Sequence, residues 1–494
     1  MQQFSINNRP TFVVRITFVV AVLLMLPGFA HAGPKNVLLL ISDNHTGTDL
    51  GCYGHPDVRT PNLDRLAARG TRFSHAFCTV ASCGPSRGVI YTGLLTHANG
   101  QYTHGHSFHN GVLLPSVKTV FDLVKDAGYR TALFGKTSFY LLPGHYDIDV
   151  INQKDDRDLP LMSEQAEKFI GDSGDKPFLI AMCTHDPHPM IKTREQRRKL
   201  KPRVPREIDP ATIHLPDSVP DRTDVREIVA EYYELIERVD DGVGEALAML
   251  DRTGKAGDTL VVFFSDQGAP FPHGYTQYEP GVYVPMIVYN PQSQKRGITT
   301  DALVTLADVT PTVLDWTGVK PPYPLHGRSV LPVLEQEKTE GWDSVVLSHV
   351  MHEVTMYYPM RTLRERRYKL IWNLCYQSPF MNAKEVADQS PWRLTIERGE
   401  KYIGKRLVEK YVWRDPIELY DLETDPNELV NLADDPKYTD LRREMSERLL
   451  KRLRETDDHW LERYELPMPG DKVNVTLLPP EGYAPPRKKG HKGD

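Results

Sequence analysis

The sequence predicts an α/β protein: a mostly parallel central sheet flanked by helices, then a smaller C-terminal antiparallel sheet with a helix. Three observations predict it. Short apolar runs end abruptly in polar residues, as strands buried on both faces do. Stretches of helical periodicity fall between those runs. From about Trp342 the texture changes to shorter, alternating segments.

The strands follow in order. Asn36–Ser42 reads NVLLLIS and stops at Asp43-Asn44-His45. Thr131–Gly135 stops at Lys136, Phe178–Thr184 at His185-Asp186-Pro187-His188, and Thr259–Ser265 at Asp266-Gln267-Gly268. Between them, Thr60-Pro61 reads as an N-cap and first helical residue before Leu63, Leu66 and Ala67, with Gly70 suited to the C′ position. Val117, Val120, Phe121 and Val124 share one helical face closed by Gly128. Val225, Val229, Tyr232, Ile236, Val239, Val243 and Leu247 mark a longer amphipathic helix. In the C-terminal part, Val345–Ser348, Tyr368–Ile371 and Glu418–Asp421 read as strands, and Leu441, Met445, Leu449 and Leu453 as one face of a helix.

A chain of 494 residues has room for one large domain and a smaller one. With 26% charged residues, a net charge of -6 and no dominant basic stripe, nothing points to nucleic acid, and no such partner is expected. Arg9 and Arg15 precede the apolar run Ile16–Leu26, and Ala30-His31-Ala32 follows, which is the pattern of a cleaved export signal. The run is too short to span a bilayer, so no stable membrane anchor is expected after cleavage. The expected division is a signal peptide at 1–32, a main domain at 33–340, a smaller domain at 341–478 and a disordered basic tail at 479–494. Export implies a periplasmic, secreted or lysosomal destination, depending on the host. Five cysteines, an odd count, leave at least one thiol outside any disulfide, and the pairing of the rest stays open.

Ligands of such sheets collect at the carboxyl ends of the strands. Here those ends carry Asp43, Lys136, His185 and Asp266. One further segment stands out: Cys83-Gly84-Pro85-Ser86-Arg87, followed by Thr92-Gly93. A free Cys is most often a small buried hydrophobe in a turn. Set against that reading, the segment fits C-x-P-S-R-x-x-x-x-T-G at every fixed position, and on these residues the chain resembles the sulfatase family.

The resemblance implies an alkaline-phosphatase-like fold and a formylglycine (3-oxoalanine) made from Cys83 by a formylglycine-generating enzyme that reads Pro85 and Arg87. Hydrated, such an aldehyde is a geminal diol: one hydroxyl attacks sulfur, and deprotonation of the other expels sulfate. The resemblance also implies one divalent cation held by Asp43, Asn44, Asp266, Gln267 and the modified Cys83. Hard oxygen donors suit calcium or magnesium, and calcium is the expected ion. The family's usual ligands are Asp-Asp and Asp-Asn, so Asn44 and Gln267 are departures that remove one carboxylate and lengthen one amide. Weaker cation binding is expected.

By the same resemblance Arg87 steadies the modified residue, Lys136 contacts sulfate, and His185 protonates the leaving group. Ser138 stands where the family has a second His. Tyr275 stands where it has a cation, with His273 nearby as a stand-in. His185–His188, Pro270-Phe271-Pro272, Val313–Trp316 and His352–Arg361 (HEVTMYYPMR) resemble the heparan N-sulfatase (sulfamidase) branch, in which His352 and Glu353 would meet the sugar. Glu418–Asp421, Asp425-Pro426 and Asn431-Leu432 match a structural C-terminal signature of the family. The implied activity is hydrolysis of a sulfate ester or sulfamate on a sulfated saccharide, such as N-sulfoglucosamine of heparin or heparan sulfate. Two alternatives stand beside it. A degenerate sulfatase would bind the glycan without turnover, which the altered neighbours favour and the intact Cys83, Pro85 and Arg87 oppose. A phosphoester hydrolase on the same scaffold would use Ser or Thr and two zinc ions.

Overall fold

Asn36–Ser42 (β1) is buried along its whole length, because it runs between two parallel neighbours in the middle of a sheet. The other strands of that sheet are Thr71–Phe77 (β2), Arg130–Gly135 (β3), Val150–Asn152 (β4), Phe178–Cys183 (β5), Thr259–Ser265 (β6), Met286–Tyr289 (β7) and Ile298–Thr305 (β8). The computed structural model describes residues 35–105, 109–137, 146–189, 204–271 and 273–462. The expected export signal, Ser138 and the basic tail lie outside the described residues. Among those described, the order is β4-β3-β5-β1-β6-β7-β2-β8, and only β7 runs against its neighbours. The expected mostly parallel α/β fold is what the chain adopts.

Both faces are covered. Val37, Leu39 and Ile41 point into one core, with the helices Cys83–Thr92 (α2), Val120–Asp126 (α3) and Val309–Thr317 (α6). Leu38 and Leu40 point into the other, with Pro61–Arg69 (α1), Leu159–Ser173 (α4) and Thr223–Arg252 (α5). This alternation on a doubly buried strand makes β1 a continuous apolar run. At α3, Thr119 and Asp122 form a reciprocal capping box, with Thr119 N donating to Asp122 Oδ2 at 2.7 Å. Val117 lies ahead of that helix rather than on its face.

Two details of α1 differ from expectation. Thr60 does not cap it: its hydroxyl accepts from Gly51 N at 2.8 Å and donates to Asp64 Oδ1 at 3.0 Å. Gly70 is not left-handed, with φ at -121°. A Cβ there would lie 2.5 Å from the Val288 carbonyl oxygen, so close approach to β7 is what calls for glycine.

The smaller sheet joins Ser344–His349 (β9), Met360–Glu365 (β10), Tyr368–Asn373 (β11) and, after the ribbon Tyr402–Ile403 (β12) and Arg406–Leu407 (β13), Ile417–Asp421 (β14). Its order is β14-β11-β10-β9, antiparallel throughout. Thr439–Glu455 (α7) covers one face through Met445, Leu449 and Leu453. All five cysteines are free.

An ion cluster joins the two sheets. Glu279, after β6, accepts from Arg364 Nε at 3.0 Å and Lys369 Nζ at 2.9 Å. Lys369 also pairs with Glu428 at 2.8 Å, and neither side chain has any exposure. Removing this cation alone leaves Glu428 buried without its salt-bridge partner, while Glu279 keeps Arg364. Lys369→Met is expected to lower unfolding free energy by about 3–5 kcal/mol in urea titrations.

Several histidines outside the Cys83 cluster are wholly or partly buried and neutral. Burial above all pushes His75, His97 and His326 down to about 4, and His349 to about 3. In the unfolded chain each takes up a proton near 6.5, so below that pH the unfolded state binds more protons. Stability is therefore expected to fall as pH drops from about 6.5 to about 4, read as a falling thermal midpoint.

Candidate active site

The site lies at the carboxyl ends of β1, β3, β5 and β6, with the N-terminus of α2 laid across them. Asp43 and Asn44 follow β1 directly. Asn44 sits in the left-handed region, with φ at 62°, which Asn tolerates better than most residues. Asp266 and Gln267 follow β6, tied back by Asp266 N donating to Ser42 O at 3.1 Å and His45 N to Gln267 O at 2.9 Å.

Cys83 opens α2 and is 3% exposed. Its Sγ lies 3.7 Å from Asp43 Oδ1, 3.9 Å from Asn44 Oδ1, 3.2 Å from Gln267 Nε2 and 3.5 Å from Lys136 Nζ. Arg87, one turn on and wholly buried, donates from Nε to Asp266 Oδ2 at 2.9 Å and from Nη1 to Lys136 O at 3.1 Å, and pairs with Asp43 at 3.4 Å. Lys136 Nζ also pairs with Asp43 Oδ2. Burial would raise the Asp43 carboxyl, but Lys136, His188, His185 and Arg87 together hold it well below the usual range. Burial and the Asp43 charge push Asp266 the other way. Burial, with Asp43 beside it, pushes the Cys83 thiol well up.

These residues fit a hard divalent cation. One oxygen each from Asp43 and Asp266 and the Cys83 sulfur lie within 4.8 Å of one another. Asn44 Oδ1 and the Gln267 amide face each other at 2.5 Å, while Asn44 Nδ2 and Gln267 Oε1 are buried without a hydrogen-bond partner. An amide turned over about its last torsion exchanges oxygen for nitrogen, so both amide oxygens can converge with the carboxylates. Two carboxylates and two amide oxygens are a donor set for calcium or magnesium rather than zinc.

The loop after β5 brings two histidines. His185 Nδ1 lies 3.0 Å from Asp156 Oδ2, and burial, then Lys136, lowers its pKa to about 4. With a hydrogen on Nδ1 facing Asp156, Nε2 carries the lone pair. Asp186, between the histidines, is pinned by Arg157 and by Arg238 at 2.9 Å. His188 pairs with Glu385 at 3.4 Å.

A wall from the C-terminal half completes the site. His352 accepts from or donates to Ser82 Oγ at 3.0 Å and meets His104 Nε2 at 3.2 Å, and Tyr275 stacks on it with ring centroids 3.9 Å apart. Glu385 Oε1 comes within 3.8 Å of His352 Nε2. Glu353 is half-buried ahead of the turn Val354–Met356, with Lys384 as its charged neighbour; among the described residues no contact joins it to the Cys83 cluster. His273 does not stand in for a cation. It is buried against Tyr278 and Tyr411, at 5.8 and 5.1 Å between centroids, and burial, then Arg406 and Arg414, drives its pKa well below 6.5. Glu385, Asp156 and His104 carried no recognisable local pattern in the sequence.

A family model described as Sulfatase matches residues 35–319, the stretch that supplies every member of the Cys83 cluster. The chain belongs to the sulfatase family. A second model, N-sulphoglucosamine sulphohydrolase, C-terminal, matches residues 273–388. This sulfatase is 34% identical to human N-sulphoglucosamine sulphohydrolase, over 89% of this chain and 94% of the other. It is 28% identical to an ulvan-active sulfatase of Formosa agariphila, over 90% and 84%. Its fold is shared with a protein solved in complex with its substrate D-glucosamine-2-N,6-O-disulfate, at a TM-score of 0.65, 21% identity and coverage of 87% and 100%. It is shared also with the phosphonate monoester hydrolase of Agrobacterium radiobacter, at 0.66, 19% identity and coverage of 85% and 96%.

Calorimetric titration of this sulfatase with calcium is expected to show one site that Asp43→Ala abolishes. Asn44→Asp restores a carboxylate in a backbone conformation Asp also tolerates, and is expected to tighten binding by about tenfold.

Proposed function

We propose that this sulfatase is exported and hydrolyses the sulfamate of a glucosamine at the end of a sulfated glycan, with a calcium ion and a formylglycine at position 83. The observation that carries this reading is the match of residues 273–388 to the C-terminal model of N-sulphoglucosamine sulphohydrolase. That stretch contains Tyr275, His352 and Glu385, the wall facing the strand ends. A sulfate ester on a sugar is the second reading, favoured by neutral Tyr275 where sulfatases carry a cation.

Oxidised to the aldehyde by a formylglycine-generating enzyme and hydrated, residue 83 supplies the hydroxyl that attacks sulfur. Asp43, Asn44, Asp266 and Gln267 would hold the cation, which would supply positive charge to the sulfate oxygens when bound. The chain's own residues do the rest. Lys136, 3.5 Å from the Cys83 sulfur, balances a second increment of that charge. Arg87 holds both carboxylates and the Lys136 carbonyl in place. His185 Nε2, its lone pair fixed by the Nδ1 contact with Asp156, accepts the proton released as sulfate departs.

Sulfate release from N-sulfoglucosamine and from glucosamine 6-sulfate separates the two readings: the first is expected to be the better substrate. Cys83→Ala is expected to reduce turnover by at least about a thousandfold. Mass spectrometry of the peptide spanning Cys83, in protein from its native host, is expected to show the thiol replaced by an aldehyde; an intact thiol refutes the mechanism.

A further inference from the structure

A cavity of about 580 Å³ lies between β8 of the large sheet, β9 and β10 of the small one, and α7. Its volume is that of a site for a small organic ligand. Leu303 of β8, Val346 of β9 and Leu363 of β10 give it apolar walls, and Arg328, Arg448, Lys451 and Arg452 line it with charge. It is separate from Cys83. His326 N and Gly327 N, on its wall, donate to Gly93 O at 2.9 and 3.2 Å, just past the far end of the helix that Cys83 opens. Ten residues of helix set those ends about 15 Å apart.

The charges around this cavity do not cancel. Arg448 pairs with Glu365 and donates to Ser344 Oγ at 3.3 Å. Arg452 pairs with Glu455 at 3.4 Å and donates to His326 O at 2.7 Å. Asp308, the other acid of the lining, is turned to the backbone, where Thr305 N and Arg328 N donate to its carboxylate at 2.8 and 2.7 Å. Arg328 and Lys451 remain, both exposed, and among the described residues neither pairs with a carboxylate. The Arg328 guanidinium is nonetheless fixed. Its central carbon lies 3.4 Å from the Trp342 ring centre, and Nη1 donates to Gly341 O at 2.7 Å. Its other N–H groups meet no acceptor among the described residues. Burial lowers the Arg328 pKa, Asp308 opposes the shift and Arg452 adds to it, so two guanidiniums of one cavity repel each other.

A planar guanidinium held by stacking, with free N–H edges, suits the paired oxygens of a sulfate or carboxylate, and an ammonium beside it suits a second such group. A sulfated glycan carries these groups at intervals, on rings whose C–H faces are apolar. We propose that this cavity is a second, non-catalytic site for a sulfated saccharide segment, with Arg328 and Lys451 taking its sulfate groups and Leu303 and Val346 facing its rings. An anion seated there also screens Arg328 from Arg452, which an empty cavity leaves opposed. The inference rests on the sulfated-glycan class of the substrate and not on which bond is cleaved at Cys83.

The test uses the full-length, formylglycine-bearing, calcium-loaded enzyme with a fully sulfated heparin hexasaccharide as probe. Acetylation of surface lysines, read by mass spectrometry, reports on the cavity itself. Saturating hexasaccharide is expected to slow modification of Lys451 at least about fivefold and to leave Lys168, exposed on α4 across the sheet, unchanged. Arg328→Gln is expected to abolish that protection while kcat/KM on a sulfated monosaccharide stays at the wild-type value. An unprotected Lys451 overturns the proposal, as does protection that survives Arg328→Gln. Equal protection by inorganic sulfate, at the same sulfate concentration, marks a site for a free anion and overturns the saccharide assignment. Lys451→Glu changes an exposed side chain that pairs with nothing among the described residues. It is expected to remove one binding event from the calorimetric titration with hexasaccharide, and an unaltered titration overturns the proposal. These readouts report binding, so a failure to cleave N-sulfoglucosamine refutes the sulfamate reading alone.

Discussion

Everything at the strand ends hangs on Arg87. Its guanidinium is wholly buried and pairs with the carboxylates of Asp266 and Asp43, which end two adjacent parallel strands. A buried charge of this kind persists only when its hydrogen-bonding capacity is met, and here the Lys136 carbonyl meets what the carboxylates do not. The pairing fixes α2 relative to the sheet and so fixes where Cys83 projects. It also sets the charge balance. Arg87 and Lys136 offset Asp43 and Asp266, so a divalent cation among the same oxygens would leave the site positive. A positive, water-poor site draws in an anion.

The site is a product of both sheets. Strand ends alone supply the sulfur-side groups, whereas His352 and Glu385 arrive from the C-terminal half. Their placement depends on the Glu279, Arg364, Lys369 and Glu428 cluster, where charges from β10, β11 and two loops neutralise one another in the interior. Tyr275 belongs to the loop between β6 and Glu279, and its stacking on His352 closes the seam at the active site.

The parts legible in the sequence were those dictated by a local rule. Parallel strands buried on both faces must be apolar runs, and they must end where polar side chains reach the sheet edge; Asp43, Lys136, His185 and Asp266 follow from that alone. Strand β10 was hidden because Arg361 and Arg364 break the apolar pattern, and the carboxylates that neutralise them inside are distant in the chain, Asp458 at 2.5 Å and Glu279 at 3.0 Å. Gly70 was rightly singled out for the wrong reason, since a neighbouring strand and not the helix end requires it. His273 misled because position in a motif says nothing of burial. Glu385 had no signal at all: one carboxylate among many, made significant only by the histidines it meets on folding.

The burial of Cys83 also bears on timing. In the folded protein Cys83 is 3% exposed, Arg87 has no exposure, and the segment between them is covered throughout. A separate catalyst that reads Cys83, Pro85 and Arg87 as a linear string cannot reach them once α2 has docked. On the proposed mechanism, conversion of Cys83 competes with folding, and the competition has a deadline: the pairing of Arg87 with Asp266, 179 positions downstream, which waits until β6 has been made. The interval in which the string stays readable is set by the distance along the chain between the nucleophile and the carboxylate that seals it in.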